Sequence, residues 1–265
     1  MNPQQLARSI ALGAAATAFA TSVGAVGVVA TQLLTARRRA ALDPRSAPDL
    51  PAEQGPATGP LLRVVILGDS FAAGVGAGDS SRSPAGRLTG MLARAGYRVQ
   101  ARSVAVPNSL TADVKIQASR ALITSEADPY DLAIVVLGAM DVCAWSRSAE
   151  VEHATYRLTA ALANRGGRVV LATTADLGTA PCVAQPLRAL WGWRSRRIAA
   201  AQAAGARQSG SEVVDLVAAT GTSFAGDRGL FAEDGFHPSA DGYRIIADAI
   251  APAVRAVARE RRPIL

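Results

Sequence analysis

From Leu61 onward, short apolar runs alternate with longer segments of helical periodicity. The short runs have the length and β-rich composition of strands, and the segments between them have the period of helices. Strands that alternate with helices form parallel sheets covered by helices on both faces. The pattern therefore predicts a three-layer α/β/α domain built on a five-stranded parallel sheet. The predicted strands are 63–67, 98–102, 132–137, 168–172 and 212–216, and the predicted helices are 84–95, 111–123, 150–165, 187–208 and 239–257.

The first 60 residues differ in composition from the rest of the chain. Residues 10–36 contain no charged side chain, and a helix of that length crosses a hydrocarbon core of about 30 Å. Five prolines follow between residues 40 and 60, a composition typical of an extended linker. We therefore divide the chain into an N-terminal tail (1–9), a transmembrane anchor or signal-like helix (10–36), a basic and proline-rich linker (37–60) and a folded domain (61–265).

Residues 10–36 allow two interpretations. Ala18-Phe19-Ala20 resembles a signal-peptide cleavage site, but apolar residues continue well past it, which favours an uncleaved anchor. Arg37-Arg38-Arg39 after the apolar run outweighs Arg8 before it. The positive-inside rule then predicts a single-pass protein of the cell membrane with a cytoplasmic C-terminal domain, and export is the alternative.

The net charge limits the partners that the chain can have. It is +7, and every basic residue except Lys115 is arginine. The arginines are scattered rather than arranged in a stripe that could follow phosphates, so no nucleic-acid partner is predicted. Basic clusters beside an apolar segment are more typical of contact with anionic lipid.

Two cysteines, Cys143 and Cys182, are the only ones in the chain. They are too few for a disulfide scaffold and lack a second pair of metal ligands at zinc spacing, so no metal site is predicted. Both follow predicted strands at the same edge of the sheet. One disulfide between them and two separate thiols both stay open.

Ser70 follows the first predicted strand in the run Gly68-Asp69-Ser70. Open α/β sheets bind ligands outside the carboxyl ends of their strands. A serine on a tight turn there presents its hydroxyl to solvent and directs its own backbone N–H into the same space. The alternative is a helix N-cap, a position that favours Ser and Asp.

His237 is one of two histidines, and the other, His153, lies in a charged helical stretch that predicts a solvated surface. Asp234 precedes His237 by three residues at the entrance to the last predicted helix. One turn therefore brings the carboxylate to the imidazole Nδ1 and leaves Nε2 free to face a serine. We predict Ser70 as nucleophile, His237 as its base and Asp234 as the group that orients the base. The alternative is a capped turn with a partly buried histidine, although the Pro-Ser pair that follows already supplies a helix start.

Two motifs of this chain together resemble the SGNH, or GDSL, hydrolase family. They are strand-Gly-Asp-Ser near the start of one α/β domain and Asp-x-x-His near its end. The similarity spans nearly all of residues 61–257, and segments 176–188 and 236–243 are similar to actinobacterial members. The resemblance implies a flavodoxin-like sheet, a mechanism that needs no metal or cofactor, and chemistry directed at esters.

Two positions depart from the family pattern. The family places a glycine in its second motif and an asparagine in its third, and both help the serine to hold the oxyanion. Asn108 stands at the glycine position, where its backbone N–H survives and asparagine tolerates positive φ better than most residues. Met140 stands at the asparagine position and cannot donate a hydrogen bond. We therefore expect an oxyanion hole made from the N–H groups of Ser70 and Asn108, and a slow or specialised enzyme.

The predicted function is a serine-dependent acyl-ester hydrolase, esterase- or lipase-like, that acts through an acyl-enzyme on a lipid or an acylated envelope or glycan substrate. Two alternatives remain, an acyltransferase with the same acyl-enzyme chemistry and a catalytically impaired domain that binds an acyl or glycan ligand. An apolar acyl pocket could be built from the aromatic residues near the strand ends, but packing explains them equally well. These are Phe71, Trp145, Trp191, Trp193 and Phe236.

Overall fold

The computed structural model describes residues 27–35, 43, 46–123 and 130–260. In this part of the chain a six-stranded sheet has the order β1-β3-β2-β4-β5-β6, and every neighbouring pair is parallel except β1 and β3. The predicted three-layer α/β/α fold is confirmed, with six strands in place of five. The strands are β1 (Glu53–Gln54), β2 (Leu61–Gly68), β3 (Arg98–Ser103), β4 (Leu132–Val136), β5 (Arg168–Ala172) and β6 (Glu212–Val214).

The central strands are buried on both faces, because side chains alternate between two apolar clusters. In β2, Val64 and Ile66 belong to the cluster on one face and Val65 and Leu67 to the cluster on the other. β4 and β5 alternate in the same way. This explains why these strands read in sequence as continuous apolar runs rather than as alternating ones.

Helices cover both faces of the sheet. Apolar side chains of α3 and α9 belong to the first cluster and those of α4 to the second, while α6 contributes to both and α7 packs along α6. The helices are α1 (27–35), α2 (Ser70–Ala73), α3 (Pro84–Arg94), α4 (Val114–Ile123), α5 (Ala139–Cys143), α6 (Ser148–Ala163), α7 (Leu187–Gln208), α8 (Leu216–Gly226) and α9 (Ala240–Glu260).

Part of the predicted linker 37–60 belongs to the packed structure. Its strand β1 pairs with β3 at the edge of the sheet, and Leu50 packs against the core. The packed structure therefore begins before Leu61. A two-residue edge strand is too short to show periodicity in sequence, and the prolines around it dominate the composition.

The last predicted strand, 212–216, is too long. β6 ends at Val214, and the carboxylate of Asp215 accepts a hydrogen bond from the N–H of Ala218, so that α8 begins at once. The sequence analysis missed α8. Its Ala/Thr/Gly-rich sequence has weak helix propensity, and the cap is the local signal that was available.

Most of the predicted anchor 10–36 lies outside the described residues, which include only its portion 27–35. That portion is α1, whose Val29 and Leu33 pack against the core of the domain. Gln32 also donates to the carbonyl of Gln185 and accepts from the N–H of Leu187. These contacts place α1 against the entrance to α7, a tertiary contact that sequence analysis could not foresee.

In the described part of the chain, no helix is both long enough and apolar enough to span a membrane.

Candidate active site

Ser70 is the first residue of α2, directly after the turn that ends β2. The turn requires Gly68, which has a φ of 141°, because a Cβ atom there would lie 1.8 Å from the carbonyl oxygen of Val136. The Ser70 residue is only 1% exposed. Its hydroxyl makes no hydrogen bond with any described residue, so it is available to an incoming group.

Asp69 joins the turn after β2 to the turn after β4. One carboxylate oxygen accepts from the N–H of Phe71 at 2.9 Å, and the other accepts from the N–H groups of Gly138 and Ala139 at 3.0 and 3.2 Å. Complete burial raises the pKa of Asp69 to about 6, although the three hydrogen bonds lower it. The sequence analysis named this residue only as part of the run Gly68-Asp69-Ser70 and missed the bridge.

Asp234 and His237 form a short hydrogen bond at the entrance to α9. Oδ2 of Asp234 lies 2.6 Å from Nδ1 of His237, and both side chains are buried. Oδ1 accepts from the N–H groups of Phe236 and His237 at 2.9 and 3.0 Å, and Gly235 with a φ of 64° closes the turn. The structure therefore forms the predicted Asp-His pair, with Nδ1 occupied and Nε2 on the opposite side of the ring.

Burial raises the pKa of the Asp234 carboxyl, but the hydrogen bond from His237 and the N–H donors hold the pKa below its usual value overall. Asp234 is therefore ionised at neutral pH. A carboxylate in this position keeps the proton of the imidazole on Nδ1 and stabilises an imidazolium.

Aromatic contacts bring the Ser70 turn against the His237 turn. The ring of Phe71, next to Ser70, has its centroid 6.1 Å from that of the His237 imidazole. Tyr243 at the start of α9 donates to the carbonyl of Val75 at 2.7 Å and lies 3.5 Å from the carbonyl of Ser70. The predicted nucleophile and base thus lie on adjoining turns.

The segment after β3 brings Asn108 to the same edge of the sheet. Asn108 has a φ of 63°, in the left-handed region, as its glycine-like position requires. Its N–H has no acceptor among the described residues. Gln117 is buried and links this segment to the turn after β2. Its Oε1 accepts from the N–H of Gly68 and its Nε2 donates to the carbonyl of Gly68, both at 2.8 Å, and Nε2 also donates to the hydroxyl of Ser109. The sequence analysis missed Gln117, whose signal was a polar side chain in an otherwise apolar helix face.

Met140 is the second residue of α5, and its side chain is half-buried. The next residue, Asp141, is buried and accepts from the N–H and hydroxyl of Thr111 at 3.0 and 2.7 Å. Burial raises the pKa of Asp141, against the lowering effect of these bonds. Asp141 therefore ties the segment after β3 to α5, a structural role.

The aromatic residues do not form an open acyl pocket together. Trp191 is buried and packs edge-on against Phe236, which packs in turn against Phe71, with both pairs of ring centroids 6.2 Å apart. The cavity beside them measures about 10 Å³, roughly the space of one water molecule. Trp145 and Trp193 are instead 42% and 46% exposed.

Cys143 and Cys182 are present as thiols, without a disulfide between them. No cluster of three or more His, Cys, Asp or Glu side chains able to hold a metal ion occurs within residues 27–35, 43, 46–123 and 130–260.

Comparisons with known proteins identify a matching family and similar folds. A family model described as GDSL-like lipase/acylhydrolase matches residues 66–245. A GDSL-like esterase from Mycobacterium tuberculosis is 29% identical over 205 residues, which cover 77% of this chain and 65% of that protein's length. Among solved structures, a lipase/acylhydrolase from Enterococcus faecalis has a TM-score of 0.58 at 21% identity, covering 77% of this chain and 99% of its own. An acetylxylan esterase from Geobacillus stearothermophilus has a TM-score of 0.55 at 19% identity, covering 74% and 95%.

Proposed function

This chain belongs to the GDSL-like lipase/acylhydrolase family, and on that premise we propose that it hydrolyses carboxylic esters through a covalent acyl-enzyme on Ser70. The observation that carries the proposal is the 2.6 Å bond between Asp234 and His237 on the turn that adjoins Ser70. A buried imidazole whose Nδ1 is held by an ionised carboxylate is a suitable base for a serine hydroxyl.

In the proposed first step, Nε2 of His237 removes the proton of the Ser70 hydroxyl while Oγ attacks the ester carbonyl. Asp234 stabilises the imidazolium that results. When the tetrahedral intermediate collapses, the bond to the alcohol oxygen breaks and His237 returns the proton to the departing alcohol. Water then attacks the acyl-enzyme with His237 again as base, and the acid leaves with Ser70 restored.

The oxyanion in this proposal is held by backbone N–H groups of Ser70 and Asn108. Neither N–H has an acceptor among the described residues, and asparagine supports the left-handed backbone at position 108. The N–H groups of Gly138 and Ala139 are already bound to Asp69 and are not available. Met140 adds no donor, so the site has two donors where the family pattern has three.

Met140→Asn should raise kcat for ester hydrolysis by about tenfold or more, because a side-chain donor to the oxyanion stabilises the transition state and not the ground state. Met140→Leu has a similar size and no donor, and it should leave kcat near the wild-type value. The measurement is steady-state hydrolysis of p-nitrophenyl acetate by the full chain. Equal rates for all three proteins would contradict a missing donor at position 140.

Tight packing around the catalytic turns supports a preference for short acyl groups. Phe71, Phe236 and Trp191 are buried and pack against one another, and the cavity of about 10 Å³ beside Phe71 and Phe236 is lined by neither Ser70 nor His237. We expect kcat/KM of the full chain to be at least about tenfold higher for p-nitrophenyl acetate than for the octanoate, since each methylene that does not fit weakens transition-state binding. A preference for palmitate would contradict this proposal and favour a lipid substrate. A folded chain that hydrolyses no ester in the series would overturn the hydrolase proposal itself.

A further inference from the structure

The two N–H groups proposed to hold the oxyanion lie on segments that strand pairing alone does not fix relative to each other. Among the described residues, the last backbone hydrogen bond between these segments runs from the N–H of Val106 to the carbonyl of Gly68 at 3.1 Å. Asn108 follows this bond by two residues and lies beyond the end of the pairing. The position of its N–H relative to Ser70 therefore depends on other contacts.

A tight turn sets the direction of the Asn108 N–H. The N–H and the hydroxyl of Ser109 both donate to the carbonyl of Val106, at 3.3 and 2.8 Å. Asn108 is the third residue of this four-residue turn, and its positive φ of 63° is a feature of type II turns. The hydrogen bond of the turn uses the N–H of Ser109 and leaves that of Asn108 for a ligand oxygen. The place of the Asn108 N–H is therefore set by whatever holds Ser109.

Gln117 of α4 holds Ser109 against the Ser70 turn. The residue is only 2% exposed, and both ends of its amide form hydrogen bonds. Oε1 accepts from the N–H of Gly68, and Nε2 donates to the carbonyl of Gly68 and, at 3.1 Å, to the hydroxyl of Ser109. Gly68 lies two residues before Ser70. Ser109 lies one residue after Asn108, so one buried side chain joins the segments that carry the two donors.

We propose that Gln117 is a positioning residue for the oxyanion hole, which keeps the N–H of Asn108 close enough to that of Ser70 for both to reach one oxygen. This inference rests on the proposed ester hydrolysis. The site has two donors because Met140 supplies none, so no third group compensates for a displaced Asn108. A displacement of about 1 Å in a catalytic arrangement can lower the rate by about 100-fold.

Gln117→Met keeps a side chain of similar length and removes both hydrogen-bonding ends. We expect it to lower kcat for p-nitrophenyl acetate by about 10- to 100-fold and to leave KM within about twofold of the wild type, because the oxyanion forms only after the ester has bound. Unchanged kcat in the folded variant, or a loss that appears in KM alone, would overturn the proposal.

Gln202→Met is the matched control. Gln202 of α7 is fully buried, accepts from the N–H of Thr174 at 2.8 Å and donates to the carbonyl of Leu137 at 3.0 Å. It joins the end of β4 to the turn after β5, segments that carry neither proposed donor. Gln202→Met should lower the thermal midpoint about as much as Gln117→Met does and keep kcat within about threefold of the wild type. Equal kcat losses in the two variants would contradict a specific role of Gln117.

Ser109→Ala tests the route from Gln117 to Asn108, and it removes only one small hydroxyl if Gln117→Met does not fold. It should lower kcat by about threefold or more at unchanged KM. The double variant should lose no more kcat than Gln117→Met alone, because both changes break the same link. Wild-type kcat in Ser109→Ala, or additive losses in the double variant, would overturn the proposed link.

NMR of the Asn108 amide separates failure of this inference from failure of ester hydrolysis. The chain has three asparagines, Asn2, Asn108 and Asn164, so ¹⁵N-asparagine labelling of the full chain isolates the Asn108 resonance. Gln117→Met should shift it and leave that of Asn164 in place, and Gln202→Met should shift neither. A shifted Asn108 resonance, with no ester hydrolysis by the wild type, would keep the positioning role and reject hydrolysis. Hydrolysis by the wild type, with kcat and the Asn108 resonance both unchanged in Gln117→Met, would do the reverse.

Discussion

Replacing Ser70 with alanine is expected to lower kcat for p-nitrophenyl acetate by about 10⁴-fold or more, because the acyl-enzyme can no longer form. The protein should remain folded, since the hydroxyl makes no hydrogen bond with the described residues and a single oxygen is removed. The loss should therefore appear in kcat with an unchanged thermal midpoint. The variant should also lose covalent labelling by a fluorophosphonate, which needs an activated serine.

Ser103→Ala is the matched control for this prediction. Ser103 lies at the carboxyl end of the neighbouring strand β3 and is exposed. The Ser103→Ala protein should hydrolyse p-nitrophenyl acetate and react with the fluorophosphonate as the wild type does. A Ser70→Ala protein that keeps more than about a tenth of the wild-type rate would identify a different nucleophile or a background reaction.

Asp234→Asn should lower kcat by about 10³- to 10⁴-fold while the fold survives. Oδ1 of Asp234 accepts two backbone N–H groups, so the amide oxygen of asparagine takes that place and its NH₂ group faces Nδ1 of His237. Nδ1 then becomes an acceptor and the imidazole proton moves to Nε2. In that tautomer His237 cannot remove the proton of Ser70.

Asp227→Asn controls for the loss of a turn-capping carboxylate, because Asp227 accepts from the N–H of Gly229 at 2.7 Å without any histidine partner. We expect the Asp227→Asn protein to keep wild-type activity.

The wild type should also lose stability in acid through Asp234. Folding lowers the pKa of Asp234, so its carboxylate stabilises the folded protein at a pH above the pKa that it has in the unfolded chain. This stabilisation is lost as the pH falls through the pKa of Asp234 in the folded protein. An active Asp234→Asn enzyme would show that the carboxylate does not set the tautomer.

The fold was largely predictable because its signals are local. Strand and helix periods placed all five predicted strands within two residues of their observed bounds, and residues 187–208 coincide with α7. The elements that were missed have weak local signals. β1 contains two residues whose pairing with β3 is a tertiary contact, and α8 has a sequence of low helix propensity.

The sequence by itself determined the layered fold, the serine turn, the Asp-His turn and the absence of a donor at Met140, since each depends on residues close together in the chain. Only the tertiary structure decided which side chains join these turns. Asp69 joins the turn after β2 to the turn after β4, and Arg194 of α7 donates a hydrogen bond to the carbonyl of Ser146. It also decided that Trp191 is buried while Trp145 is exposed. The physical reason is that hydrogen bonds and burial between distant segments depend on how the strands pair and the helices pack, which local periodicity does not encode.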